Sequence, residues 1–389
     1  MNILICNSYR VYRIQGGTER ISSRIAQGLT ASGHHCYLAY KHDKHLDSPE
    51  TCFVDEINVF QDSLEQFLLK NQIDYIIVQK MTRDVKIMYD IRAKYHLNYK
   101  IYSVLHFNPG YEEYSATFKS FYSGLLKKNK LKEYLKDLVR TISYPVYKLF
   151  YPLRNKELYR TVYKYSDKVI LLSHSFIEQY VNYARLKDNA KFEVIPNALS
   201  FDEFLPLDKI KNKKKQVLIV SRLEETQKKL TLAIKVWAEI EKNMKFNDWT
   251  FKIVGEGPDR KKYEELVRDL KLKRVKFCGR QNPKSYYEES CLFMMTSAYE
   301  GWGLTLTEAQ QFGCVPLAFD TYSSVHDIID NGKNGYIIEK YNVNNYVEKF
   351  ECLMCNDGLR ENMAVQAIES CKRFELHSII GQWEALIMK

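Results

Sequence analysis

The feature that most constrains this chain is an alternation of short, almost wholly apolar runs with segments of helical spacing, repeated along its length. The first series of runs falls at 2–6, 35–40, 74–79, 100–105, 168–173 and 192–195. Apolar residues occupy consecutive positions rather than alternate ones, as a strand buried on both faces requires. Between the first two runs, Ile21, Ile25 and Leu29 recur every four residues within 18–31, marking one face of a helix. A second series lies at 216–221, 250–254, 275–279, 292–297, 315–319 and 336–339. Strands and helices in this alternation predict an α/β chain of two doubly wound, Rossmann-like domains with parallel sheets. The polar stretch 197–215, ending in a basic run, reads as the linker.

The length of 389 residues suits two domains, because single cores stop growing near roughly 250–300 residues. The spacing places them at 1–200 and 201–370. Residues 371–389 form a final amphipathic helix, with Phe374 and Trp383 around Ile379 and Ile380. Ligands of doubly wound sheets bind beyond the carboxyl ends of the strands, so an interdomain cleft is the expected site. The first residues lack the basic region, long apolar core and cleavage site of a signal peptide. No run reaches the roughly 18 apolar residues of a membrane span. A cytoplasmic protein is therefore expected. Nine scattered cysteines, with a lone CxxC at Cys352 and Cys355 and no nearby His, suit a reducing compartment and predict no metal site.

Charge becomes informative once located. Residues 118–165 hold twelve Lys or Arg against three acidic residues, which is +9 of the chain's net +10. Within this stretch Lys128, Lys132, Lys136 and Arg140 form a basic stripe beside an apolar one of Leu131, Leu135, Leu138, Val139 and Ile142. Eight tyrosines accompany them. Such a helix suits an anionic membrane surface, where each cation adds about 1 kcal/mol; packing of its apolar face on the first domain is the alternative. Nucleic acid would accept the same charge, but no recognised binding motif accompanies it.

The segment Glu300-Gly301-Trp302-Gly303-Leu304-Thr305-Leu306-Thr307-Glu308 follows a strand and opens a helix. Thr305 with Glu308 fits a capping box. That reading leaves Glu300 and the two glycines unexplained. Glycines admit a ligand close to the backbone, helix amides suit a diphosphate, and flanking carboxylates accept hydrogen bonds from sugar hydroxyls. Arg222 and Lys228 follow the first strand of the second series, where fixed cations could neutralise a diphosphate leaving group. No Asp-x-Asp occurs, which favours metal-independent chemistry. Gly16 and Gly17 precede a helix capped by Thr18, and His106 follows the strand 100–105. Neither a GxGxxG fingerprint nor an acidic end to the second strand is present, which disfavours nicotinamide binding.

The nine-residue segment resembles the Glu-x7-Glu signature of the retaining GT-B glycosyltransferases of the family 4, or group 1, type. Other pieces match in the order of that family: Gly16-Gly17-Thr18-Glu19, Val194-Ile195-Pro196-Asn197, Val220-Ser221-Arg222-Leu223 with Lys228, Gly255-Glu256-Gly257-Pro258, and Cys278-Gly279. The likeness covers most of the chain except about 110–165. Two departures are visible: Lys228 stands six residues after Arg222 rather than five, and Lys229 occupies the place of a common Gly.

The resemblance implies that Glu300 contacts sugar hydroxyls, Glu308 the ribose diol, and Leu304 and Thr305 the phosphates. It implies donor-binding places for Gly16, Gly17, Asn197, Gly303 and Arg280, the last near the base. Arg222, Lys228 and His106 would act on the diphosphate and the sugar. The implied activity is metal-independent transfer of a hexose or N-acetylhexosamine from a nucleotide diphosphate sugar, with a UDP-sugar the commonest donor, and no cofactor. The acceptor would be a membrane-associated or lipid-linked glycan at the inner face of the membrane, in surface polysaccharide or glycolipid assembly. Two other readings keep the same architecture: a nucleotide-sugar epimerase, against which the Glu-x7-Glu pattern counts, and a non-catalytic basic membrane or nucleic-acid adaptor.

Overall fold

The computed structural model describes residues 1–12, 17–44, 46, 48–80, 82–115, 134–135, 138–139 and 142–388. Two compact units emerge, one of Met1–Ile195 with Trp383–Lys389 and one of Pro196–Gln382.

The first unit holds β1 (Asn2–Cys6), β2 (His35–Tyr40), β3 (Glu56–Asn58), β4 (Tyr75–Val78), β5 (Lys100–Leu105), β6 (Lys168–Leu171) and β7 (Phe192–Val194). They form one sheet in the order β3-β2-β1-β4-β5-β6-β7, every pair parallel. Ile3, Leu4, Ile5, Ile76, Ile77, Ile101, Val169 and Ile170 have no solvent exposure, which explains their unbroken apolar runs. The helix Thr18–Ala31 buries Ile21, Ile25 and Leu29, as their spacing requires. Its N-cap is Gly17 at φ 67°, with no side-chain cap, so Thr18 is the first helical residue and not the cap. Strand β3 is absent from the sequence reading: three residues with a single apolar side chain carry no periodicity. The end of the chain joins this unit, with Tyr75 and Tyr102 hydroxyls donating to the carbonyls of Ile387 and Leu386.

The second unit holds β8 (Lys214–Val220), β9 (Thr250–Val254), β10 (Val275–Gly279), β11 (Ser290–Met295), β12 (Val315–Phe319) and β13 (Tyr336–Ile338). Their order is β10-β9-β8-β11-β12-β13, again parallel. Trp237, Trp249, Phe251, Phe293 and Tyr346 fill the core; burying one such side chain stabilises by roughly 1.5–3 kcal/mol.

The stretch read as a linker is part of this second unit. Gln311 donates from its side chain to the carbonyls of Phe201 and Glu203, and Ile210 is buried. Lys213 donates to the carbonyls of Tyr287, Glu288 and Ser290 at 2.7 to 3.0 Å, closing the end of the helix Lys284–Glu289. A basic run thus reads as solvated until Lys213 is found holding three carbonyls at a helix end. The unit begins at Pro196, five residues before the boundary placed from sequence.

Candidate active site

In the second unit the backbone sets the geometry first. Past the ends of β8 and β9, Ser221 N donates to Val254 O at 3.0 Å, Leu223 N to Glu256 O at 2.9 Å and Asp259 N to Leu223 O at 3.0 Å. A Cβ on Gly255, at φ 141°, would lie 1.8 Å from Ser221 O, and one on Gly257 would lie 2.3 Å from Leu223 O. Both glycines are therefore required by backbone contact. They hold Arg222 at the carboxyl edge of the sheet.

Lys228 ends the short helix Glu225–Lys228, whose N-cap Glu224 accepts from the Thr226 and Gln227 amides. Ala298 N donates to Gln227 O at 2.6 Å and the Thr296 hydroxyl to Lys228 O at 2.9 Å, tying this turn to the segment after β11. Lys229 has φ 52°, a left-handed conformation that explains why glycine is common at this place in the family pattern. Lys228, not Lys229, reaches the carboxylate: its Nζ lies 2.5 Å from Glu300 Oε1. The Gln227 amide donates to Tyr299 O at 3.2 Å and to Glu300 Oε2 at 3.4 Å, while its Oε1 accepts from Arg222 Nη2 at 3.3 Å. Arg222, Lys228 and Glu300 are thus one constellation joined through Gln227. Glu300 is 7% exposed, whereas the Arg222 side chain is 63% exposed and free to meet a ligand.

The helix Leu304–Gln311 opens at Gly303, φ 92°, where a Cβ would approach Leu306 and the Tyr322 hydroxyl at 3.4 Å. Its first amides, Leu304 and Thr305 among them, have no intrahelical acceptor. The capping box does not form: Thr305 lies inside the helix rather than at its cap. The buried Glu308 instead accepts from the Ser200 hydroxyl at 2.6 Å and the Tyr287 hydroxyl at 2.8 Å. Arg280 is exposed just after Gly279, and Asn197 is buried near the start of the unit.

Sequence reasoning missed Gln227, Ser200 and Ser221. Ser221 lines a small hollow with Lys228 and Thr305, and its hydroxyl has no hydrogen-bond partner. Nothing in spacing marks Gln227 apart from its place beside Lys228. Its role depends on the left-handed turn that follows.

In the first unit His106 stands half-buried after β5, with Nε2 2.6 Å from Gln79 Oε1. Burial lowers its pKa to about 4, so the ring is neutral near pH 7. It lines a cavity of about 250 Å³ together with Asn7, Thr18, Gln79 and Glu112. Burial raises the Glu112 pKa to about 7, and the Tyr159 hydroxyl donates to this carboxyl at 3.0 Å. Glu112 was not anticipated; it belongs to the stretch outside the family likeness. Gly17 caps the helix whose first residues line the same cavity. Gly16, Lys128, Lys132, Lys136 and Arg140 lie outside the described residues.

Comparison with known proteins follows the same division. Residues 201–370 match the model of the glycosyl transferases group 1 family. An uncharacterised glycosyltransferase of Haemophilus influenzae is 29% identical over 239 residues, 59% of this chain and 65% of that protein. The Campylobacter jejuni GalNAc-alpha-(1->4)-GalNAc-alpha-(1->3)-diNAcBac-PP-undecaprenol alpha-1,4-N-acetyl-D-galactosaminyltransferase is 26% identical over 231 residues, 59% of this chain and 62% of that one. The chain spans less than two thirds of the length of these curated relatives. Its fold is similar to that of Anabaena HepE in complex with UDP, with a TM-score of 0.73 at 16% identity, covering 100% of both chains. Two parallel, helix-covered sheets in this order are the GT-B architecture. Over residues 201–370, then, the chain is similar to the group 1 glycosyl transferases.

Proposed function

We propose that this protein transfers a hexose or N-acetylhexosamine from a UDP-sugar to a membrane-associated or lipid-linked glycan acceptor, with retention and without metal, in surface polysaccharide or glycolipid assembly. The observation that carries the reading is the Arg222–Gln227–Glu300–Lys228 constellation beside the amides that open the helix Leu304–Gln311. Two cations and a helix N-terminus suit a diphosphate, and Glu300 suits the hydroxyls of the sugar attached to it. The acceptor oxygen bonds to the anomeric carbon as the bond from that carbon to the diphosphate oxygen breaks. The acceptor proton passes to the departing phosphate. Arg222 and Lys228 offset the charge left there, Glu308 accepts from the ribose, and neutral His106 orients a sugar hydroxyl.

The relatives' names support a glycan acceptor: one acts on a sugar chain carried by PP-undecaprenol. Exposed apolar residues support contact with a lipid surface. Leu135, Val139, Ile142, Val146, Phe150 and Leu153 are all 50% exposed or more, at three- or four-residue steps. No helix among the described residues is long and apolar enough to cross a membrane, so this contact would be peripheral, at the cytoplasmic face.

Thermal unfolding against a panel of nucleotide diphosphates and their sugars tests the reading. One uridine diphosphate sugar at a hundred times its dissociation constant should stabilise the fold by about 2.7 kcal/mol, and Glu308→Gln should weaken that shift. A folded sample that responds to none of them would overturn the assignment.

A further inference from the structure

Three aromatic side chains of the first unit are exposed side by side, with Lys44 Nζ 4.3 Å from the centre of the Tyr9 ring and Lys41 Nζ 6.0 Å from that of Phe60. Tyr9 follows β1, His42 follows β2 and Phe60 follows β3, one ring from each of three adjacent strands. Phe60 is 66% exposed, Tyr9 38%, and His42 is exposed as well. Neighbouring strands lie about 4.8 Å apart, and the rings repeat that spacing: Tyr9 to His42 is 5.5 Å between centroids, and His42 to Phe60 is 5.5 Å. The backbone fixes the row. His42 N donates to Ser8 O at 3.0 Å, Arg10 N to His42 O at 2.9 Å, and Phe60 N to Asn58 Oδ1 at 3.1 Å.

The row forms a wall of a second cavity, about 400 Å³, which shares Asn7, Ser8, Tyr9 and Lys80 with the smaller one that holds His106. Asn7 and Gln79 add the second observation. Both are more than nine-tenths buried, both line the smaller cavity and Asn7 the larger one too, and the amide nitrogen of each lacks a hydrogen-bond partner. A buried donor left unpaired costs about 1–3 kcal/mol, so it marks a place where a ligand oxygen belongs. Aromatic faces attract the polarised C–H groups of a pyranose, and amide donors take its hydroxyls. Together they describe a carbohydrate site running along the carboxyl edge of the sheet from β3 to β5.

We infer that this pair of cavities binds at least two consecutive sugars of the acceptor, one beside His106 and Gln79 and the next against Tyr9, His42 and Phe60. The protein then extends an existing oligosaccharide rather than a single sugar. The inference rests on the transferase reading above and names its acceptor class.

Saturation-transfer NMR titrations of the full chain test it, using methyl glycosides of one, two and three sugars in α-glucose, N-acetylglucosamine and N-acetylgalactosamine series. In at least one series affinity should rise tenfold or more from one sugar to three. The exposed-ring variant Phe60→Ala/His42→Ala, checked by thermal melting, should lose that rise and keep the single-sugar affinity within about threefold. Affinity that is flat with length in every series, no binding at all, or a rise that survives the double variant would overturn it. A protein stabilised by a UDP-sugar yet flat with acceptor length loses only this inference. One that responds to neither loses the transferase reading too.

Discussion

The two units share one strand order up to the sixth strand, yet their carboxyl edges are built in opposite ways. In the second unit the polar side chains at the strand ends, Ser221 apart, are bonded to one another: Lys228 and Gln227 to Glu300, Arg222 to Gln227, and Ser200 and Tyr287 to Glu308. The first unit instead faces two cavities with an acid of raised pKa, a neutral histidine, unpaired amides and exposed rings. On the proposed function, a site for one invariant chemical piece, a nucleotide diphosphate, is served by pre-set charge. A surface for a varied partner is served by shape and aromatic faces. The family model covers the unit with the wired edge and not the other.

Four experiments press on this comparison, the largest effect first. Gly255→Ala should destabilise the second unit by about 4 kcal/mol or more, because the new Cβ would sit 1.8 Å from Ser221 O. Urea unfolding should then show a separate early transition for that unit; a single transition at the wild-type midpoint would show that the loop relaxes freely. Arg222→Ala should cut turnover at least about a hundredfold with the melting curve unchanged. Near-normal turnover would move the diphosphate contact elsewhere.

A pair of lysines tests the difference in burial. Lys213 and Lys191 each donate to three carbonyls at the end of a helix, and burial lowers both pKa values. Lys213→Met leaves those carbonyls in the interior and should cost about 2–3 kcal/mol, whereas Lys191→Met, with water nearby, should cost about 1. Equal costs in chemical denaturation would contradict the contrast.

The smallest effect concerns pH. Glu112, raised to about 7 from 4.5, holds its proton longer folded than unfolded. Its contribution to stability is present below pH 4.5 and is lost as pH rises through 7. His106, lowered to about 4 from 6.5, contributes above 6.5 and loses that as pH falls through 4. Glu112→Gln should therefore gain melting temperature relative to the parent protein by a few degrees between pH 5 and pH 8. A constant difference across that range would mean the carboxyl is ordinary.

Twelve of the thirteen strands among the described residues were legible because a strand covered on both faces must be apolar at successive positions. β3 was not, since Ile57 alone points inward there. Glu300, Arg222 and Lys228 could be picked out because strand ends in a doubly wound sheet are where ligands bind. Gln227, which joins them, left no trace in spacing, and the capping box that Thr305 and Glu308 would have allowed as the alternative gave way to hydroxyls arriving from Ser200 and Tyr287, 108 and 21 residues from Glu308. The basic run before β8 looked like a linker although Lys213 is an interior cap.

The sequence by itself determined the alternation of elements, the two sheets and the chemical character of the second unit's edge, because burial and helix periodicity act over a few residues at a time. Tertiary structure alone decided which charges meet, that Lys228 rather than Lys229 reaches Glu300, and that Tyr9, His42 and Phe60 stand in one row. Those facts depend on strands that are neighbours in the sheet but lie tens of residues apart in the chain, a distance over which no local pattern carries information.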